Sequence, residues 1–411
     1  MEIFITILYC IAFTWLVTYT PFFIKSHLGK RLLVSFFIIK FLAAFSYGLF
    51  FSQANMIATS DSWNYFLLSK GETDWLLQNP FAFFQDIFSS GYHHSSNLFL
   101  QTNSYWNDLK SNIIIKLMAL CNVITFKNYY ANAVILNYLF FFGPVAIYRV
   151  FTFSEKKNLV IALSVFCIPS FLFWCSGAHK DGILFSCIGM IIYFFNNQLQ
   201  KRQVNYLHIF YMLLLLIVIF ALRNFLAFLL LPALFVWALS DFHPNKKWLI
   251  VTGVFGIGLL FFFLTGYLSA SYNFPEYIIK KQAEFKALGG GSQIELPLLE
   301  PNAISFLKFL PYALDVSFCR PHFSEWKSLA AIFSGLELLG FWIIIIFYFF
   351  SKKKNPIINT SFFVFCCCFA ISVLLLCGYT VTLSGAITRY RSLVLPFIIT
   401  PFLAGLGWKK G

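Results

Sequence analysis

The sequence predicts an all-α membrane protein that crosses the bilayer about eleven times and carries two long connections on one face. Three observations lead there. Only 11% of the 411 residues are charged and 59% are hydrophobic, whereas a soluble domain carries about 25% charged residues. The mean hydropathy is +0.76. Apolar runs near the ~20 residues that a helix needs to cross hydrocarbon recur along the chain. The 55 phenylalanines suit lipid-facing helix surfaces and leave no stretch for a separate soluble domain. The chain is therefore read as one integral membrane domain, 1–411.

In order, the expected spans are approximately 3–24, 32–56, 129–151, 158–178, 181–196, 205–222, 224–240, 248–270, 328–350, 357–382 and 392–408. The first run lacks a basic start and a small-residue cleavage site, so it reads as a span and not as a cleaved signal. The second holds Lys40 near its middle, where an ammonium needs a partner or a wet path. Pro144, Pro169 and Pro232 each remove a backbone donor and are expected to kink their helices. The 181–196 run is short. Runs 205–222 and 224–240 are joined through Arg223 and Asn224 alone, as a tight outer hairpin. Glu337 falls inside the 328–350 run, packed against protein.

Basic residues orient these spans. Every second gap carries a basic cluster: Lys25/Lys30/Arg31, Lys156/Lys157, Lys201/Arg202, Lys246/Lys247, Lys352/Lys353/Lys354 and Lys409/Lys410. With Arg149, that side holds 15 Lys or Arg against two acids, Glu155 and Asp241; the other side holds 14 against 13. This is the positive-inside bias, which puts the N-terminus outside and the C-terminus in the cytoplasm. The net charge of +14 then faces anionic inner-leaflet lipid, not nucleic acid. The ten cysteines form no disulfide framework and no CxxC metal pair; Cys319 alone lies clearly in a loop.

Both long connections, 57–128 and 271–327, fall on the outer face. The first contains NPFAFFQDIF, expected as an interfacial amphipathic helix. It also contains SNIIIKLMALCNVI, expected as a half-buried or re-entrant helix. The second contains GGGS and then a Pro-spaced apolar run from Leu296 to Leu310. It reads equally as a gating lid or as a linker.

The candidate site residues share this face. They are Asp61 after the second span, His179, Lys180 and Asp181 in SGAHKDGILF, and Arg223 in the hairpin. Arg320 and Glu325 lie in SFCRPHFSEW beside His322, and Arg389, Tyr390 and Arg391 lie in TRYR. Several cations with few carboxylates suit an anionic ligand, because arginine presents a rigid donor fork to phosphate. Asp61 reads either as a general base or as a helix N-cap. Lys180 and Asp181 read either as binding groups or as a helix anchor.

Five pieces carry a resemblance: IKFLAAFSYGLFF leading to SDSWNYF; NIIIKLMALCNVITFKNYYANAVILN; PSFLFWCSGAHKDGILF; LDVSFCRPHFSEW followed by GLELLG; and SGAITRYRSLVLPF. Together they resemble a family of bacterial polytopic proteins of surface-polysaccharide gene clusters, similar to GT-C glycosyltransferases and EpsG-like proteins. The resemblance implies a GT-C-like fold and transfer or polymerisation of a sugar at the outer face. Its donor would be a polyprenyl-phosphate-linked sugar and its acceptor a saccharide. It gives the base to Asp61 and the phosphate grip to Lys180, Arg320, Arg389 and Arg391. No resident cofactor is implied, and a divalent metal stays open. One span precedes the helix leading into the Asp61 loop, where GT-C proteins reach that loop after the first span. Two other classes fit the residues: a flippase for a lipid-linked saccharide, and a structural membrane subunit.

Overall fold

The computed structural model describes residues 2–53, 56–57, 60–88, 105–152, 158–268, 273–289, 292–351 and 360–406. The clusters Lys156/Lys157, Lys352/Lys353/Lys354 and Lys409/Lys410 lie outside them. Among the described residues every regular element is helical and none is a strand. Among the described residues seven helices are long and apolar enough to cross a membrane, or eight if one pair bent by 51° is a broken span. The chain is a multi-pass helical membrane protein. It divides by internal packing into two units, Met1–Ala227 and Phe228–Gly411.

The first unit contains α1 (Glu2–Tyr19), α2 (Pro21–Ile24), α3 (Lys30–Phe51), α4 (Asp61–Gln78), α5 (Pro80–Gln85), α6 (Tyr105–Thr125), α7 (Tyr129–Phe151), α8 (Leu159–Phe166), α9 (Pro169–Ser176) and α10 (Lys180–Lys201). It ends within α11 (Tyr206–Phe242). Its hub is α7, which packs against α1, α3, α9 and α10. Asn128 starts it by accepting from the amides of Tyr130 (2.9 Å) and Ala131 (3.1 Å), which satisfies first-turn donors. The crossing with α10 is backbone-close. A Cβ on Gly189 would lie 2.7 Å from the Gly143 carbonyl oxygen, and small residues at such crossings let helix backbones touch.

Prolines divide the helices unevenly. Pro169 opens α9 after the 51° bend from α8, while Pro144 and Pro232 stay inside α7 and α11. Runs 205–222 and 224–240 form one helical stretch, α11, interrupted only at Arg223 (φ −152°, ψ 87°).

The first long connection is a helical layer. It comprises α4, α5, a 3₁₀ turn (Asp86–Phe88) and α6, with α4 and α6 packed along each other. The run SNIIIKLMALCNVI lies in α6, which is not among the seven apolar helices. A polar ladder ties α4, α6 and α7 together. Asn122 donates to Ser69 Oγ (2.9 Å) and Thr73 Oγ1 (3.1 Å). Asn132 donates to Asn122 Oδ1 (2.6 Å), and Thr125 donates to Asn132 Oδ1 (2.6 Å). Buried polar groups paired in this way avoid the cost of lost hydration.

The second unit continues α11 and adds α12 (Lys247–Leu268), α13 (Phe274–Ala287), α14 (Ala303–Leu314), α15 (Leu329–Phe350), α16 (Thr360–Thr380), α17 (Ser384–Ser392) and α18 (Leu395–Gly405). Little of α12 is buried by protein, as suits an apolar helix facing lipid. The second long connection supplies α13 and α14. Ile278, Leu299, Phe306, Phe309 and Ala313 form its core. It is pinned to the α16–α17 link: Ile294 N–H donates to the Thr382 carbonyl (2.7 Å) and Ser384 N–H to that of Ser292 (3.1 Å). Gly290 and Gly291 of GGGS lie outside the described residues.

Helix α14 packs on α16 at Gly378, where a Cβ would collide with the Ala313 carbonyl. Gly378→Ala is expected to cost about 1–3 kcal/mol, because backbone cannot swing aside as a side chain can. Gly385→Ala, with no atom within 4 Å of the new Cβ, should stay within about 0.5 kcal/mol of the parent. Thermal unfolding of the two detergent-purified variants compares them.

Candidate functional site

In the first unit the polar residues gather where α9 ends and α10 begins. A helix end leaves carbonyls without intrahelical partners, and here two side chains supply donors. Lys40 Nζ donates to the Cys175 carbonyl (2.8 Å) and to Ser176 Oγ (3.1 Å). Asn137 donates to the Ser176 carbonyl (2.7 Å). Lys40 also sits 5.9 Å over the Phe140 ring and 5.7 Å over that of Phe171. The partner expected for this mid-span lysine is therefore the C-terminal end of α9, where a cation is favoured.

After three residues the chain re-enters helix. His179 is the N-cap of α10, its Nδ1 accepting from Asp181 N–H (3.3 Å). Asp181 is fully buried and meets Arg223 Nη2 at 2.6 Å. The interruption of α11 falls on Arg223 itself. His179 also packs on the Tyr47 ring at 5.1 Å. So three of the four polar residues expected together here, His179, Asp181 and Arg223, are together and buried; Lys180 is half-buried.

Asp61 is half-buried in the first turn of α4, where a carboxylate suits the positive helix end. The N-cap is Ser60, whose Oγ accepts from Trp63 N–H (3.4 Å). The capping alternative for Asp61 is thus filled by its neighbour. Trp63 donates to the Gly48 carbonyl (3.0 Å) and stacks on Tyr129 at 4.1 Å. Ser62 Oγ and the Tyr129 hydroxyl bond at 2.6 Å. These contacts fix Asp61 beside the end of α3 and the start of α7.

In the second unit a charged turn follows α14. Residues Asp315–Cys319 form one π-helical turn. Arg320 Nε meets Asp315 Oδ2 (3.1 Å) and its Nη1 meets Glu325 Oε1 (2.6 Å). His322 Nε2 lies 2.8 Å from Asp315 Oδ1, and His322 N–H donates to Glu325 Oε2 (2.8 Å). From α17, buried Arg391 donates to the Arg320 carbonyl (2.8 Å) and to Ser334 Oγ (3.0 Å). Burial pushes the Arg391 guanidinium down to about 10, against the pull of the Glu337 charge, so it stays cationic at neutral pH. Arg389 and Tyr390 are half-buried on the same helix, and Tyr390 meets the Phe285 ring edge-on at 6.3 Å.

Three of the cations expected in the binding set already meet protein oxygens: Arg223 a carboxylate, Arg320 two carboxylates, and Arg391 a carbonyl and a hydroxyl. Sequence reading missed Asp315, because an i,i+5 pairing needs the π turn. It also missed Lys116, which is buried between Glu72 (2.8 Å) and Asp86 (3.0 Å). Its signal was a single charge inside the apolar run IIIKLMAL. A cleft of about 400 Å³, lined by Asn197, Gln198, Lys201, Asn205 and His208 among others, lies at the far end of α10. At 1.5 Å per residue that is roughly 30 Å from His179. Among the described residues no three His, Cys, Asp or Glu side chains are grouped to hold a metal ion.

No family model matches the chain, and neither a curated protein nor a solved structure is detectably similar to it.

Proposed function

We propose that the chain is a bacterial inner-membrane glycosyltransferase or polymerase that uses a polyprenyl-phosphate-linked sugar at the outer face and extends a saccharide acceptor. The observation that carries this reading is the turn Asp315–Arg320–His322–Glu325. It keeps two carboxylates, a guanidinium and an imidazole mutually bonded yet 22–42% exposed. Exposed ion pairs add little to stability, so such a cluster in a chain so poor in charge points to chemistry. The resemblance to GT-C and EpsG-like proteins gives the same class. Eleven passes follow if the α8–α9 pair is one span, α1 and α18 cross, and the chain reverses at Arg223.

Two measurements test this. Cys319 is the one exposed cysteine of the ten, so a membrane-impermeant maleimide should label it in intact spheroplasts. Labelling only in inverted vesicles would overturn the orientation. Deleting the chain should leave polyprenyl-linked sugar on the outer leaflet. Accumulation on the inner leaflet would instead favour the flippase, and no accumulation would remove both.

A further inference from the structure

The turn that follows α14 holds a His–Asp pair that the resemblance does not supply. His322 and Asp315 lie seven residues apart and meet at 2.8 Å through Nε2 and Oδ1. When Nε2–H donates to a carboxylate, the tautomer is set and the basic lone pair lies on Nδ1. The carboxylate is itself held, since Asp315 Oδ2 accepts from Arg320 Nε at 3.1 Å. Arg320 also grips Glu325 (2.6 Å), which accepts from His322 N–H (2.8 Å). The imidazole is thus oriented at its side chain and at its backbone.

The turn is braced from beneath by three hydrogen bonds. Buried Arg391 holds the Arg320 carbonyl at 2.8 Å. Trp342 donates to the Phe318 carbonyl (3.0 Å) and Trp326 to that of Pro321 (3.2 Å). Yet the imidazole stays 42% exposed, so an acceptor can reach it. Beside it Phe323 is largely exposed and lies 4.8 Å from the Trp326 ring. That apolar face suits one side of a sugar ring. Arg320 is neutralised by two carboxylates, which makes it a positioning residue rather than a phosphate clamp.

We propose that His322 is the catalytic base of the transfer, with Asp315 as its positioning residue. This rests on the glycosyl-transfer reading above. The acceptor hydroxyl gives its proton to His322 Nδ1 as its oxygen bonds to the anomeric carbon. The bond from that carbon to the donor phosphate oxygen breaks, and the electron pair leaves with the polyprenyl phosphate. Asp315 faces the imidazolium so formed. A base of this kind contributes about 10²–10⁴-fold in rate.

The test uses the full chain in proteoliposomes with polyprenyl-phosphate-linked tritiated glucose, galactose and mannose, and a host oligosaccharide acceptor. His322→Gly should lose about 10²–10⁴-fold in transfer, and added imidazole should restore part of it, which a structural role would not allow. Asp315→Asn should lower kcat with little change in KM. If His322→Gly keeps parent activity, or is folded but inactive and beyond rescue by imidazole, the assignment is overturned. Failure of the parent chain to transfer any of the three sugars would sink the glycosyl-transfer reading. The imidazole proposal would then fall with it.

Discussion

Asp181→Ala is expected to be among the most damaging single substitutions in the first unit, at about 3–5 kcal/mol. The reason is not the strength of the Asp181–Arg223 pair as such. Arg223 is 7% exposed and sits at the break in α11, so its guanidinium cannot regain water cheaply once the carboxylate 2.6 Å away is gone. Asp181 also anchors the first turn of α10, where its amide bonds to His179 Nδ1. Replacing both partners together, Asp181→Leu with Arg223→Met, should recover most of the loss, because two apolar side chains leave no buried charge behind. Cys187, buried on α10 less than two turns beyond Asp181, reports the opening. Its maleimide labelling should speed up by roughly two to three decades in Asp181→Ala, at 1.4 kcal/mol per decade, and by far less in the double variant. Unchanged labelling in the single variant would show that the pair does not secure this joint.

The same joint shows what the sequence can and cannot reveal. Three adjacent ionisable residues between two apolar runs mark a break in the membrane pattern, and the structure breaks there, between α9 and α10. The tight step at Arg223 is likewise legible, since a charge interrupts an apolar run at that point. The donor that closes the end of α9 was not legible. Lys40 bonds Ser176 across 136 residues, and no local pattern encodes a pairing of that separation. Local geometry can hide a partner equally well. Asp315 precedes Arg320 by five residues, a spacing that an α-helix turns to another face and a π turn brings into register. Arg320 and Glu325 were found because they lie within one short charged stretch. Their expected use as substrate ligands now competes with their bonds to each other.

Lys116 gives a second large effect, and a comparison with its neighbourhood isolates the cause. Its ammonium lies between Glu72 and Asp86 at 2.8 and 3.0 Å, and over the rings of Trp75 (4.6 Å) and Phe83 (4.1 Å). Asn112 donates to Asp86 from the next turn of α6 (3.2 Å). One side chain therefore fastens α6 to α4 and to the 3₁₀ turn that follows α5. Lys116→Ala is expected to cost about 3–5 kcal/mol, since two carboxylates lose their shared cation and the aromatic box is left with a void. Lys127→Ala removes a pair of similar geometry, 2.6 Å from Asp74, but that pair is far more exposed. It should cost less than about 1 kcal/mol, because water already screens both charges. Cys121, buried five residues beyond Lys116 on the same helix, reads both variants by the same labelling rate. Fast labelling in Lys116→Ala with near-parent labelling in Lys127→Ala would show that burial, and not the ionic contact alone, makes this lysine the fastener of the helical layer. Equal rates in the two variants would assign the hold on α6 to the Asn122 ladder instead.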